Sequence, residues 1–480
     1  MLDEKDKIIE QLQKTIAEQN AIIAELKAQL ANALEKLNMN SNNSSKPPSS
    51  DGYKKPSPKS LRTKTGNAKG AQPGHKGHNI TLPHKPDNNI QHLPDKCLHC
   101  PHLNECKSNE AVFSCAESRY TVDVEVKTIV TEHQRIIVNC CPYGEKPDSG
   151  RFSENIKGYI QYGDSVAVLA GILNTYGAVS IMRTHLLLSS LIGMPISTGT
   201  VNNLVARCAD RVKSTLSKIK RLITESGLCH FDETGVRADG KLKWVHNSST
   251  ADYTYQTLND RRGRIGIEAN GVISCLSGTA VHDCWSPYRK YGNVNHAVCN
   301  AHLLRELIGI SETHPEHKWA TSFIKLLLTM KAVKEKAINE GKTVLSYYYL
   351  HKFSREYDNI MELADKECPL PPKPSVKKRG RQKKGKERSL IERLISLKLS
   401  VCLFIHDFSV PFDNNQAERD LRNIKTKAKV SGCFRSDKGG QDYLDVMSYL
   451  NTGAKHNINA FDAMTAAFSG DGDIVLSSGF

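Results

Sequence analysis

Leu228-Cys-His-Phe-Asp232 is a short apolar run ending in a carboxylate, and Thr279-Ala-Val-His-Asp283 repeats the pattern farther along. Around them, residues 243–247, 253–257, 272–276 and 296–299 are brief apolar runs parted by Gly, Asp and Asn, which predicts strands. The flanks read helical over 164–222, 302–400, 415–430 and 440–468. A strand block enclosed by helices predicts a multidomain α+β protein, with two acids at strand ends. A third acid, Glu418, opens a helix in Asp413-Asn-Asn-Gln-Ala-Glu-Arg-Asp-Leu-Arg422.

Carboxylates are hard oxygen ligands of the kind Mg2+ prefers. Two such ions about 4 Å apart can activate the attacking oxygen of a phosphodiester and stabilise the leaving one. Singly, each acid has a plainer reading. A strand-terminal Asp caps a turn, and Asn415-x-x-Glu418 has capping-box spacing. The helix of Glu418 adds Arg419, Arg422, Lys425 and Lys429 at three- to four-residue steps, a basic stripe beside the acid that suits a DNA backbone.

Charge points the same way. The 480 residues carry a net +15, yet residues 46–85 and 373–388 each hold nine Lys/Arg against one acid. The rest of the chain is therefore near neutral. Basic tracts poor in apolar residues suit polyanions, with a solvated linker as the bland alternative. No apolar run reaches membrane-spanning length and no secretory segment opens the chain, so a cytoplasmic, nucleoid-associated protein is expected, with no membrane partner.

Leu2, Ile9, Ile16, Ile23, Leu30 and Leu37 recur every seven residues, with Leu12, Leu26 and Ala33 between them and Gln19 interrupting that second series. This heptad predicts a coiled coil and a homo-oligomer, a parallel dimer. Fourteen cysteines, several alone in apolar stretches (Cys208, Cys229, Cys275, Cys402), suit buried reduced thiols. Cys97-x-x-Cys100 is half of a tetrahedral Zn2+ site. Cys140 and Cys141 would supply the other half, with Cys106, His92, His99 and His102 as alternatives, although Tyr143 stands where a second CxxC would end. Between them, 120–126 and 128–131 alternate as a hairpin would. Residues 186–205 have a helix-turn-helix pattern, a helix, a Gly193 break and a Ser/Thr-capped second helix.

At Phe231-Asp-Glu-Thr234, His282-Asp-Cys-Trp285, Cys299-Asn-Ala-His-Leu-Leu-Arg-Glu306, Pro411-Phe-Asp-Asn-Asn-Gln-Ala-Glu-Arg419 and Ser431-Gly-Cys-Phe-Arg-Ser436, the chain closely resembles bacterial transposases of the insertion sequence 66 family (TnpC type). Asn43-Ser-Ser-Lys-Pro-Pro-Ser-Ser-Asp51 and Gln72-Pro-Gly-His-Lys-Gly-His78 resemble that family's N-terminal region. The resemblance implies a DDE recombinase with an RNase H-like α/β core and Asp232, Asp283 and Glu418 as its Mg2+- or Mn2+-binding triad. It implies double-stranded DNA, both element ends and target, as partner, and accessory element-encoded proteins. Cys299-x-x-His302 would stand near the site or serve as a packed strand-to-helix junction. Lys377, Arg379 and Arg381 resemble a minor-groove hook.

The organisation expected is a coiled coil over 1–38, a basic linker over 39–90, a zinc-finger-like segment over 91–150 and a helical DNA-binding segment over 155–222. A catalytic core follows in two parts, 225–304 and 401–450, around a helical insertion over 305–400, and 451–480 form a tail. Competing readings are a catalytically inactive DNA-binding regulator of the same element and a nucleoid protein built on the coiled coil and basic tracts.

Overall fold

The computed structural model describes residues 2–40, 43–44, 84–107, 115–139, 143, 148–193, 195–370 and 384–477. Lys377, Arg379, Arg381, Cys140 and Cys141 lie outside these residues, as does most of each basic tract.

Helix α1 (Leu2–Asn38) is continuous through the heptad region. Among the described residues its stripe is open: Ile9, Ile16, Ile23 and Leu30 are each about half exposed. Residues 59–129 form a compact unit of their own, whose described part holds two short helices, α2 (Asp95–Leu98) and α3 (Leu103–Lys107). The hairpin expected over 120–131 does not form. Residues 115–136 carry no strand, and Val122, Val124, Val126, Ile129 and Val130 are exposed. Alternation alone does not hold a hairpin that lacks a surface to cover. A two-residue ladder of β1 (Ile137–Val138) with β2 (Asp148–Ser149) follows.

Next come α4 (Asp164–Asn174), α5 (Ile181–Ile192) and α6 (Thr198–Thr224). Ser180 and Ser197 cap α5 and α6 through their side-chain oxygens, and Gly193 ends α5 with φ 70°, a conformation that glycine adopts without strain. Helix α6 reaches far beyond a recognition helix. Val201, Leu204, Cys208, Val212, Ile219 and Ile223 are buried along its length, leaving Thr198, Gly199, Asn202 and Asn203 exposed at its start.

Five strands form the central sheet: β3 (Leu228–Ala238), β4 (Lys241–Ser249), β5 (Thr254–Asn259), β6 (Thr279–His282) and β7 (Asn295–Val298). Their order is β5-β4-β3-β6-β7, with α7 (Arg264–Asn270) between β5 and β6 in the chain. The first three make an antiparallel meander, and β6 and β7 continue it parallel to β3. Three expectations are corrected here. Residues 272–276 are a turn whose Val272, Ile273 and Leu276 enter the core, Cys275 is exposed, and Asp232 lies inside β3 rather than at its end. Strand β3 outlasts its apolar run because β4 pairs with it as far as Ala238.

The helical insertion holds α8 (Asn300–Thr313), α9 (Trp319–Asn339), α10 (Tyr347–Glu367), α11 (Lys386–Ser396) and α12 (Lys398–His406). The chain then runs through α13 (Asn415–Ser431), α14 (Asp437–Lys455) and α15 (Ala460–Ser469). Alternate residues of the sheet feed two cores. Cys229, Phe231 and Ala280 pack with α4, α6, α14 and α15, and Val475 near the C-terminus joins them. Val281, Ala297 and Val298 pack with α8 to α12. On the meander, Val236 and Val245 meet Leu421 and Ile424 of α13, which lays that helix across β3 and β4. Among the described residues, no helix is long and apolar enough to cross a membrane.

Candidate active site

Asp232 and Asp283 meet because of strand register. The β3–β6 ladder aligns Leu228 with Thr279 and His230 with Val281. The same offset, carried two residues on, sets Asp232 beside Asp283, just past the end of β6. Adjacent strands lie about 4.8 Å apart, and aligned residues of parallel strands point to one face. That face is the one α13 covers. Asp232 Oδ1 accepts from the Glu233 N–H at 2.8 Å, and Asp283 Oδ1 from the Trp285 N–H at 2.9 Å, leaving the outer oxygens available.

Glu418 reaches this place through Asn414, the residue before α13. The Asn414 amide is buried; its Nδ2 donates to the Phe231 carbonyl at 2.8 Å and its Oδ1 accepts from His230 Nδ1 at 2.7 Å. The Asn414 backbone N–H points to Cys299 Sγ at 3.2 Å. The capping-box alternative for Glu418 therefore does not hold. Asn415 is already helical, and the cap residue Asn414 spends its side chain on β3. One turn into the helix, Glu418 lies 3.8 Å from His302 Nε2 and 3.9 Å from Arg305 Nη2.

Of the pair Cys299-x-x-His302, the cysteine is the packed junction and the histidine faces the acids. Burial pushes the Cys299 thiol up to about 12, so it is a neutral packing group. Burial and then Arg305 hold His302 below its ordinary value, against the opposing charges of Glu418, Asp283 and Glu306.

The three carboxylates act on one another. Burial pushes the Asp232 carboxyl up to about 7, and the charges of Glu233, Asp283 and Glu418 add to the rise. A fourth acid, Glu233, is close in sequence but turns to the opposite face. Its Oε2 accepts from the Tyr288 hydroxyl at 2.6 Å and its Oε1 from Arg262 Nε at 3.0 Å, and Arg262 stacks over Trp285 at 4.3 Å. Burial carries Glu233 up to about 7 as well. Sequence reading missed Glu233, Tyr288, Arg262, Arg305 and Asn414. Strand alternation could have flagged Glu233; nothing local marks the others.

The four basic residues expected beside Glu418, namely Arg419, Arg422, Lys425 and Lys429, are all exposed, while Lys427 turns inward and is buried. Lys427 Nζ donates to the carbonyls of Asn174 and Val179, each at 2.8 Å. The stripe therefore forms one solvent face of α13. Cys97 and Cys100 flank a turn in which the Cys100 N–H donates to the Cys97 carbonyl at 3.2 Å, and no third ligand atom joins them among the described residues.

Residues 165–442 match the family model described as Transposase IS66 family, a span running from α4 into α14 and containing all three acids. Residues 2–81 match a second model, Family of unknown function (DUF6444). No curated protein matches the chain.

Asn414→Ala would leave His230 and the Phe231 carbonyl without partners, a loss of about 2–3 kcal/mol in denaturant unfolding; a change below measurement error would remove the clamp from the account. A pH dependence follows from the acids. Asp232 and Glu233 hold protons up to about 7 when folded, whereas an unfolded carboxylate releases them near 4. Between those values the folded chain binds more protons, so stability falls as pH rises through the window. Melting temperature in chelator is expected to drop from pH 5 to pH 8, and to drop less in Asp232→Asn. An equal drop in both proteins would contradict the assignment.

Proposed function

Because the chain belongs to the IS66 family of transposases, we propose that it binds the terminal inverted repeats of its element and catalyses metal-dependent DNA strand cleavage and strand transfer, with Asp232, Asp283 and Glu418 as the metal-binding triad. The observation that carries this reading is the β3–β6 register, which if continued two residues past its last pair puts Asp232 opposite Asp283, together with the charges of Asp283 and Glu418 acting on the Asp232 carboxyl. An antiparallel meander continued by two parallel strands supports an RNase H-like core.

The residues fit a hard divalent cation. They offer only carboxylate oxygens, and Asp232 among them is held protonated to about 7, first by desolvation and then by its acidic neighbours, as expected where a counter-charge belongs. Paired Mg2+ or Mn2+ ions, when bound, would supply an activated attacking oxygen and a stabilised leaving oxygen. The chain's own contribution is position. The β3–β6 register sets the two aspartates, Asn414 sets the approach of Glu418, and His302 and Arg305 hold its carboxylate from the far side. The exposed stripe from Arg419 to Lys429 would take the DNA phosphates alongside the acids, fixing register without reading sequence. The bare heptad face of α1 supports self-association through a second copy of that helix.

Two measurements test this. Asp232→Asn should lower Mg2+-dependent nicking of element-end DNA by at least about 100-fold while leaving end binding largely intact; full nicking by that variant would refute the triad. In a binding series over salt, Arg422→Ala with Lys425→Ala should make the log–log slope shallower by about 2, roughly one unit per lost phosphate contact. An unchanged slope would take α13 off the DNA path.

A further inference from the structure

The helical insertion contains a second group of ligand-type side chains, remote in the fold from the triad's strands. His314 ends α8, His317 lies in the turn before α9, and Glu387 stands in the first turn of α11. One ligand atom from each falls within 4.8 Å of the others. Their arrangement centres on the Glu387 carboxylate, which is buried. His317 Nδ1 and Trp319 Nε1 both donate to its Oε1, at 2.7 and 2.6 Å. His314 Nε2 faces its Oε2 at 3.8 Å. The two imidazoles stack with centroids 5.3 Å apart. Among the described residues, the two histidines are the only ion-pair partners that Glu387 has.

One distance in this cluster is not that of a hydrogen bond, although His317 Nδ1 donates directly to Glu387 Oε1. At 3.8 Å, His314 and Glu387 are too far apart for a hydrogen bond. Two ligands each bound about 2.0–2.1 Å from one tetrahedral ion stand roughly 3.4 Å apart, so the gap suits a shared ion. Two nitrogens and one carboxylate oxygen are donors that Zn2+ accepts together. Trp319, bonded to Glu387 Oε1, would orient the carboxylate as outer partners of zinc ligands do.

We propose that His314, His317 and Glu387 form a Zn2+ site that fastens the loop between α8 and α9 to the start of α11. Glu387 lies at the C-terminal end of the second basic tract, so the site ties that end to the loop between α8 and α9. The site is separate from Cys97 and Cys100 and depends on neither the triad nor the proposed DNA chemistry.

The test uses the full chain, with Cys97→Ser/Cys100→Ser as a background that removes the other thiolate pair. Purified protein is stripped with chelator and titrated with ZnCl2 against a chromophoric competitor. The background protein should bind one Zn2+ equivalent that raises its melting temperature. His314→Gln/His317→Gln should weaken that equivalent by more than about 100-fold while melting like the background protein in chelator. Equal Zn2+ binding with and without the two histidines, or no Zn2+-dependent rise in melting temperature, would reduce the cluster to hydrogen bonds and overturn the site.

Discussion

One buried amide fixes the relation between the sheet and the helix that brings the third acid. Asn414 donates to the Phe231 carbonyl and accepts from His230, the two residues just before Asp232. Its own N–H goes to Cys299, just past β7. The amide therefore ties α13 to the strand carrying the first acid and to the strand end beyond the second. His230 is held neutral by burial, which leaves its Nδ1–H as a donor to the amide oxygen. A hydrophobic residue at this position could fill the volume but could not define the rotation of α13. That rotation decides whether Glu418 or Arg419 faces the aspartates.

The acids themselves work against the fold. Two unit charges about 5 Å apart in surroundings of effective dielectric about 20 repel by roughly 3 kcal/mol, a sizeable share of a domain's net stability of about 5–15 kcal/mol. The sheet limits the damage by sending Glu233 to the opposite face, where Arg262 and Tyr288 engage it. Among the described residues Asp232 has no such side-chain partner, and the charges that act on it most strongly, those of Glu233, Asp283 and Glu418, are of its own sign. That asymmetry between neighbouring residues of one strand supports the proposed cation at Asp232.

Much of this was legible in the sequence and some was not, for separable reasons. The helices of 164–222, 302–400 and 415–430 were readable because an amphipathic period repeats over many turns. Strands 279–282 and 295–298 were readable because turn residues bound them closely. Residues 272–276 misled because a buried turn and a buried strand are equally apolar, and only tertiary pairing separates them. The 120–131 alternation misled in the opposite direction, since its valines have the strand period without a face to bury it on. The three acids were expected as a set through motif context, but any alignment of the two aspartates depends on the β3–β6 register, which no local signal encodes. Asn414 was quoted as part of a motif without a role, because its partners lie more than a hundred residues away.

That separation bears on how the site assembles. The chain leaves the sheet after β7 and returns at Phe412, whose carbonyl accepts from the Asn300 N–H, while the Asn300 side chain donates to the Val401 carbonyl of α12. Closing a loop of this length is less costly than its size suggests, because each doubling of length adds only about 0.6 kcal/mol. The insertion also carries its own packed centre, with Trp319, Phe323, Phe353 and Tyr357 all buried, and shares it with Val281, Ala297 and Val298 of the sheet. Once these helices condense on β6 and β7, the two ends of the excursion are already adjacent, and the remaining search for Asn414 is local. A deletion that joined Asn300 to Val410 directly would shorten the loop yet remove the surface that α12 and α8 supply. The insertion is thus part of what positions Glu418, in addition to whatever its basic tract contacts.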